Sequence, residues 1–206
     1  MLTTRILSTD NPQALTRAKE ILQADGLVAF PTDTIYGVAA DAFSPSGIQK
    51  IYEAKERPQE KALPVLIGDL GQLDALVLFV SEQVRKIAQA FWPGALTLIL
   101  PKGPHVPADL SPYPTIGIRM PDLTFTLRLL QEVGPLATTS ANISGGPNPT
   151  KAQDVMDQLG SRVDLILDGG ATPGPKASTV IDATTPDFQV LREGPITHAD
   201  IKALFD

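Results

Sequence analysis

The sequence contains no cysteine and only two histidines among its 206 residues. Without cysteine, disulfide bonds, thiolate catalysis and cysteine-ligated metals are excluded. His105 lies in a proline-rich segment, and His198 lies at the start of a predicted helix. Neither belongs to a His-Glu-x-x-His pattern or lies beside a nucleophile elbow. We therefore expect both to be ordinary surface residues and do not expect a histidine-dependent catalytic triad.

Long apolar segments are also missing. The longest apolar run covers only residues 75–80, which is too short to cross a bilayer. The first seven residues contain neither the apolar core nor the cleavage site of a signal peptide. A net charge of -6 argues against a broad nucleic-acid-binding surface and against an anionic membrane as a partner. We expect a cytoplasmic protein that does not act on a membrane.

Two common nucleotide-binding patterns are absent too. The sequence has no G-x-x-x-x-G-K-[ST], which excludes a P-loop NTPase, and no G-x-G-x-x-G, which argues against a Rossmann dinucleotide site. Hydrophobic residues make up 43% and charged residues 19%, an ordinary globular balance. We expect a single domain over residues 1–206.

The apolar periodicity predicts helices that alternate with short strands. Helices are expected at 12–25, 45–57, 82–92, 123–132, 150–159 and 199–205. Strands are expected at 27–30, 63–67, 96–100, 115–119, 136–140, 165–167, 178–182 and 188–192. This alternation is typical of an α/β fold with one main sheet. The last strands have no helices between them, so we expect a mixed rather than a purely parallel sheet.

A polar segment at 30–37, Phe-Pro-Thr-Asp-Thr-Ile-Tyr-Gly, follows the first predicted strand. Its two hydroxyls, carboxylate and phenol suit the recognition of a small zwitterion. A plain turn, in which the same side chains satisfy backbone groups, would explain the segment equally well.

A second set of polar residues suits an anion. Lys55, Arg57 and Lys61 form a cationic cluster at a predicted helix end, although solvated cations at a helix C-terminus are common. Ser140 and Asn142 lie in a loop whose hydroxyls, amide and backbone N–H groups could hold phosphate oxygens or simply form a turn network. Together they point to a polyphosphate, and so to a nucleotide.

Two arginines end predicted strands. Arg119 closes the strand at 115–119, and Arg192 closes the strand at 188–192. Both guanidinium groups could reach one edge of the sheet, although each could equally form a surface ion pair.

Seven segments together resemble the YrdC/TsaC family of threonylcarbamoyl-AMP synthases, in the family's order and spacing. They are 30–37, Lys-Glu-Arg-Pro at 55–58, Trp-Pro-Gly at 92–94, Ile-Gly-Ile-Arg at 116–119, Thr-Ser-Ala-Asn-Ile-Ser-Gly at 139–145, Ser-Thr-Val-Ile-Asp at 178–182 and Leu-Arg-Glu-Gly at 191–194. We interpret Trp-Pro-Gly as structural. The resemblance implies a twisted open mixed sheet, with helices packed on it and a large concave, electropositive site.

The resemblance also implies a reaction. L-Threonine, bicarbonate or CO2, and ATP would yield L-threonylcarbamoyl-AMP and pyrophosphate, with Mg2+ accompanying ATP. A separate transferase complex would then modify an adenosine of tRNA, so at most weak tRNA binding is expected from this chain.

Residue roles follow from the same resemblance. Lys55 and Arg57 would be catalytic. ATP would be bound by Arg57, Lys61, Thr115, Ser140, Asn142, Asn148 and Arg192. L-Threonine would be bound by Thr32, Thr34, Tyr36, Arg119 and Ser178. No metal site built from protein side chains alone is expected.

The chain departs from many family members in two ways. Residues 63–67 lack a histidine that often follows the Lys-x-Arg-Pro stretch, and no extra C-terminal domain is expected after residue 206. We hypothesise that the loop 102–114 covers the site instead. Three alternatives stay open: a carbamoyl-transfer module, an RNA-binding module and an inactive paralogue. The lack of cysteine argues against the first, the net charge of -6 against the second, and the retained motif residues against the third.

Overall fold

The computed structural model describes residues 3–174 and 176–205. The strands are β1 Arg5–Ser8, β2 Val28–Phe30, β3 Gly37–Asp41, β4 Val65–Leu66, β5 Leu96–Pro101, β6 Thr115–Arg119, β7 Leu136–Ser140, β8 Leu165–Asp168, β9 Thr179–Asp182 and β10 Gln189–Arg192. The α-helices are α1 Ala14–Gln23, α2 Pro45–Lys55, α3 Glu82–Phe91, α4 Thr124–Val133, α5 Ala152–Leu159 and α6 His198–Lys202. Short 3-10 helices cover Leu70–Ala75 and Ala108–Leu110.

The strands form one mixed sheet in the order β1-β8-β2-β3-β7-β4-β6-β5-β9-β10. The β1–β8, β2–β8, β4–β6 and β5–β9 pairs are parallel, and the remaining pairs are antiparallel. The predicted mixed α/β sheet with packed helices is therefore confirmed.

The helices cover both faces of the sheet. Apolar residues of α1 and α4 pack with one face, while those of α2, α3 and α5 pack with the other. Neighbouring strand residues alternate between the two cores, as the two-residue period of a strand requires. Val65 faces one core and Leu66 the other.

The ends of α2 follow from its sequence. The Ser44 hydroxyl accepts a hydrogen bond from the Gly47 N–H at 2.9 Å, and Pro45 fits the first turn. The helix ends at Glu56, whose φ of 53° is left-handed. Lys55 and Arg57 flank this residue, and their side chains bond to different segments of the chain.

Some elements differ from the sequence-based prediction. Helix α1 begins at Ala14 instead of residue 12, because the Asn11 side chain accepts from the Gln13 N–H at 2.9 Å and forms a turn before the helix. Strand β4 keeps only two residues of the predicted 63–67. Strands β1 and β3 were not predicted. The predicted loop at 173–175 ends at Pro175, outside the described residues.

The segment 102–114 is held against the core. The Lys102 ammonium donates to the Ser111 carbonyl oxygen at 2.7 Å, and the Leu63 N–H donates to the Leu110 carbonyl oxygen at 2.9 Å. Leu110 is fully buried. These contacts anchor the middle of the segment and do not favour the hypothesis that it moves over the site.

Candidate functional site

A cavity of about 670 Å3 lies between the turn before β3, strands β5 to β7 and the segment leading into β9. The predicted concave site is therefore present. Nine residues with a predicted role line it: Thr32, Thr34, Tyr36, Arg57, Arg119, Ser140, Asn148, Ser178 and Arg192. Segments from the beginning, middle and end of the chain thus meet at one place.

The turn between β2 and β3 is organised by Thr32. Its buried hydroxyl donates to the Ile35 carbonyl oxygen at 2.7 Å and accepts from the Ile35 N–H at 3.2 Å. The hydroxyl oxygens of Thr32 and Thr34 are 3.0 Å apart. Thr32 therefore fixes the turn and places Thr34, whereas a direct contact with threonine had been predicted for it.

Arg119 lies at the end of β6 and is 6% exposed. Its Nε donates to the Gly94 carbonyl oxygen at 3.0 Å, which makes the Trp-Pro-Gly segment a support for this arginine. Its two terminal nitrogens donate to the Thr34 hydroxyl at 2.9 Å and to Asp33 Oδ1 at 2.5 Å. Burial lowers the pKa of Arg119, and the Asp33 carboxylate opposes that effect.

A β-bulge sets the direction of the Arg192 side chain, because the register of the β9–β10 pair shifts between Val190 and Arg192. Its Nε donates to the Ser178 carbonyl oxygen at 3.0 Å and its NH2 to the Ser178 hydroxyl at 3.2 Å. That hydroxyl is 2.8 Å from the Thr97 hydroxyl. Burial lowers the pKa of Arg192, and the positive charge of Arg119 lowers it further.

Arg57 reaches the cavity from the exit of α2. Its Nε donates to the Lys61 carbonyl oxygen and its NH2 to the Ala62 carbonyl oxygen, both at 3.0 Å. Burial lowers the pKa of Arg57 as well. The guanidinium is therefore held in place by neutral carbonyl groups, which leave its charge uncompensated.

The charges at the cavity are unbalanced. Arg57, Arg119, Arg192 and Lys176 line it, and no carboxylate is among the lining residues. Asp33 is the only acidic side chain in the described part of the chain that forms a salt bridge with one of these cations. A protein of net charge -6 thus concentrates positive charge here, which favours an anionic ligand.

Lys55 is placed differently from its predicted catalytic position. Its side chain is buried, and its ammonium donates to the carbonyl oxygens of Ser140, at 2.5 Å, and Asn142. The Ser144 N–H donates to the Lys55 carbonyl oxygen at 2.9 Å. Burial, and secondarily the charge of Arg57, lower the Lys55 pKa to about 7. Lys55 does not line the cavity and instead fixes the loop that follows β7.

Three further residues predicted to bind ATP are not among the cavity-lining residues, namely Lys61, Thr115 and Asn142. The Lys61 carbonyl oxygen supports Arg57, and the Thr115 carbonyl oxygen accepts from Ser111. The Asn142 side chain is buried and donates to the Gly146 carbonyl oxygen at 2.8 Å. In this geometry these groups shape the loops around the cavity.

The Tyr36 hydroxyl is directed to the loop after β8, although a contact with threonine had been predicted. It donates to the Gly170 carbonyl oxygen at 2.7 Å and accepts from the Gly169 N–H at 3.2 Å. Burial raises the Tyr36 pKa to about 12. Tyr36 therefore joins the turn before β3 to the loop after β8 through its hydroxyl.

Sequence reasoning gave no role to several lining or bordering residues. Thr97 and Lys176 line the cavity. Asp33 had been seen as a carboxylate in the first motif, but its pairing with a residue 86 positions away gave no local signal. Lys176 directly follows a Pro-Gly-Pro stretch, where no periodicity marks an element.

Other possible sites are weaker. Within residues 3–174 and 176–205, no group of three or more histidine, cysteine or acidic side chains could hold a metal ion. The same residues include no helix with the length and apolar character needed to cross a bilayer. Both histidines are exposed, as predicted.

Comparisons with known proteins agree with this geometry. The Sua5/YciO/YrdC family model, described as "Telomere recombination", matches residues 20–194. A threonylcarbamoyl-AMP synthase of Bacillus subtilis is 43% identical over 201 residues, which cover 96% of this chain and 58% of that protein. A Mycobacterium tuberculosis protein that provisionally carries the same name is 40% identical over 177 residues, covering 85% of this chain and 82% of that protein.

A solved structure supports the same relationship. Pyrococcus abyssi Sua5 complexed with L-threonine matches with a TM-score of 0.92 and 34% identity, over 99% of this chain and 60% of that chain. The present chain thus spans about three fifths of the length of the B. subtilis and P. abyssi proteins.

Proposed function

This chain belongs to the Sua5/YciO/YrdC family, and on that premise we propose that it is an L-threonylcarbamoyl-AMP synthase, a nucleotidyltransferase. The observation that carries the proposal is the convergence of three arginines, of which Arg119 is buried and Arg57 half-buried, on one cavity whose lining has no carboxylate. Such a cavity suits a reaction in which negative charge accumulates.

The proposed reaction has two steps. First, the zwitterion of L-threonine and bicarbonate give threonine N-carboxylate, water and a proton. A carbamate oxygen then attacks the α-phosphorus of ATP, and the bond to the pyrophosphate oxygen breaks. The products are threonylcarbamoyl-AMP and pyrophosphate. Two anions must approach each other in the second step, so fixed cations contribute most to the rate.

The arginines divide between the two substrates in this proposal. Arg119 binds the threonine carboxylate, beside the hydroxyls of Thr34 and Ser178. Arg57 and Arg192 bind the phosphates, because each keeps three of its five N–H groups after two bonds to the protein.

The nucleotide is held by the side of the cavity that Ser140 and Asn148 line. Mg2+ enters with ATP as part of the substrate, bound to the phosphate oxygens. Lys55 acts through the backbone, because its ammonium fixes the carbonyl groups on both sides of Ala141 and so sets the position of Ser140.

The product determines what must follow. A carbamoyl–phosphate mixed anhydride hydrolyses in water, so it needs a nearby acceptor. We propose that a separate transferase complex transfers the threonylcarbamoyl group to tRNA in the cytoplasm. This chain then needs at most weak tRNA binding, which fits its net charge of -6.

Pyrophosphate release from Mg-ATP tests the proposal. The purified protein is assayed with bicarbonate, and L-threonine is either present, omitted or replaced by L-serine. We expect release that requires both threonine and bicarbonate and falls strongly with serine. A folded protein that binds ATP but releases no pyrophosphate under any condition would favour an inactive paralogue or another acceptor. Tight RNA binding that weakens steeply with salt would favour the RNA-binding alternative.

A further inference from the structure

Asp33 is not among the residues that line the cavity, but it forms a salt bridge with Arg119, which is. Its side chain is 14% exposed and its Oδ1 is 2.5 Å from Arg119 NH2. Its Oδ2 makes no hydrogen bond within the described residues. No fully buried side-chain nitrogen or oxygen there lacks a partner, so this oxygen keeps some exposure to solvent.

Arg119 also keeps unused hydrogen-bonding capacity. Of its five N–H groups, one donates to Gly94, one to Thr34 and one to Asp33. Two remain for a ligand. The pair therefore offers free donors on a cation and a free acceptor on an anion, side by side in a buried setting. An α-amino acid zwitterion presents the complementary charges, a carboxylate beside an ammonium.

We propose that Asp33 binds the ammonium of L-threonine while Arg119 binds its carboxylate, an inference that rests on the proposed function. The pair then selects an amino acid over an anion of the same shape. Threonine is thus admitted as a zwitterion without net charge, at a place where the neighbouring arginines alone would prefer a simple anion.

The pair of Asp33 and Arg119 also favours the attack of the carbamate on ATP. Carbamate formation from threonine and bicarbonate releases water and a proton, and it replaces the ammonium by a second carboxylate. Two negative groups now face each other at Asp33, so the N-carboxylate is repelled there. Arg57 and Arg192 line the same cavity and attract it. The change from ammonium to carboxylate therefore directs the reacting carbamate oxygen toward the phosphates of ATP.

Ligand discrimination tests the proposal. L-Threonine and the matching 2,3-dihydroxybutanoate, in which a hydroxyl replaces the ammonium, are titrated calorimetrically into wild type and Asp33→Asn without bicarbonate. We expect wild type to prefer threonine by about 10- to 100-fold, the range of one hydrogen bond between charged groups. Asp33→Asn should lose most of this preference. Asp74→Asn, at an exposed position that forms no salt bridge with Arg119, should keep it.

Several results would overturn the proposal. If Asp33 only orients Arg119, its substitution weakens both ligands equally. Asp33→Ser repeats the comparison if Asp33→Asn does not fold, and equal affinities in wild type refute the role of Asp33 without any variant. If the wild type releases pyrophosphate with threonine but binds threonine no better than 2,3-dihydroxybutanoate, only this inference is overturned. A wild type without threonine-dependent release overturns the proposed function as well.

Discussion

Replacing Lys55 by methionine should cost little stability but much activity. Burial lowers the Lys55 pKa from 10.5 to about 7, which corresponds to about 5 kcal/mol of unfavourable free energy for the charged form. Methionine removes this cost but leaves the backbone carbonyl oxygens of Ser140 and Asn142 without this donor, at about 1 to 3 kcal/mol each. The two effects nearly cancel, so Lys55→Met should change the free energy of unfolding by less than about 2 kcal/mol at pH 7.

The activity of Lys55→Met should fall for a different reason. Without the ammonium, the Ser140 and Asn142 carbonyl oxygens lose their donor, and only the backbone bond from the Ser144 N–H to residue 55 still joins the loop to α2, so Ser140 is held less firmly at the cavity. We expect the KM for ATP to rise and threonine-dependent pyrophosphate release to fall about 100-fold or more, because displacements of about 1 Å cost that much.

The pH dependence gives an independent check. The folded-state pKa of Lys55 lies below its unfolded value of 10.5, so between about pH 7 and pH 10.5 the unfolded chain binds the extra proton. Stability contributed by this residue therefore rises with pH across that window and is lowest below pH 7. The difference in unfolding free energy between wild type and Lys55→Met should increase from pH 7 to pH 10.

Lys50→Met is the matched control, because Lys50 is on the same helix and also donates to a backbone carbonyl, but is exposed. Its activity should stay normal. The reasoning is refuted if Lys55→Met unfolds more easily by over 4 kcal/mol, or if it keeps a normal KM for ATP and normal turnover.

Three further substitutions test other parts of the site. Arg57→Gln should abolish pyrophosphate release in assays with Mg-ATP while shifting the melting temperature little, and residual activity above a few per cent would contradict its role. Gly194→Ala should destabilise the protein by more than about 2 kcal/mol in urea unfolding, because the added Cβ would lie 2.2 Å from the Thr179 backbone nitrogen. Tyr36→Phe should cost about 1 to 3 kcal/mol in the same measurement, since the Gly169 and Gly170 backbone groups lose their partner; an unchanged midpoint would contradict this.

The sequence predicted the fold class and most strands, because apolar runs bounded by polar motifs mark buried strands clearly. Strand β3 was missed because Gly37 to Asp41 has few of the β-branched and aromatic residues that signal a strand. Its identity as a strand comes from pairing with β2 and β7 on both sides. Such pairing is a property of the assembled sheet.

The candidate site could be predicted in its residue types but less well in their directions. Arg119 and Arg192 end strands, so their approach to one sheet edge could be inferred. The direction of Lys55 could not, because its partners are backbone carbonyl groups 85 and 87 residues away. A sequence motif shows which group is present. Only the folded chain shows whether that group lines the cavity or instead holds a loop beside it.

The sheet order has a consequence for synthesis of the protein on the ribosome. Strand β1 pairs with β8, so Arg5 meets Leu165 only after 160 further residues have been made. At a translation rate of about 5 to 20 residues per second, β1 waits roughly 10 to 30 s for its partner. Strand β5 likewise waits for β9 before Ser178 and Arg192 can reach the cavity. The nascent chain therefore emerges with unpaired strands, and its binding site is completed only after Arg192 has been made.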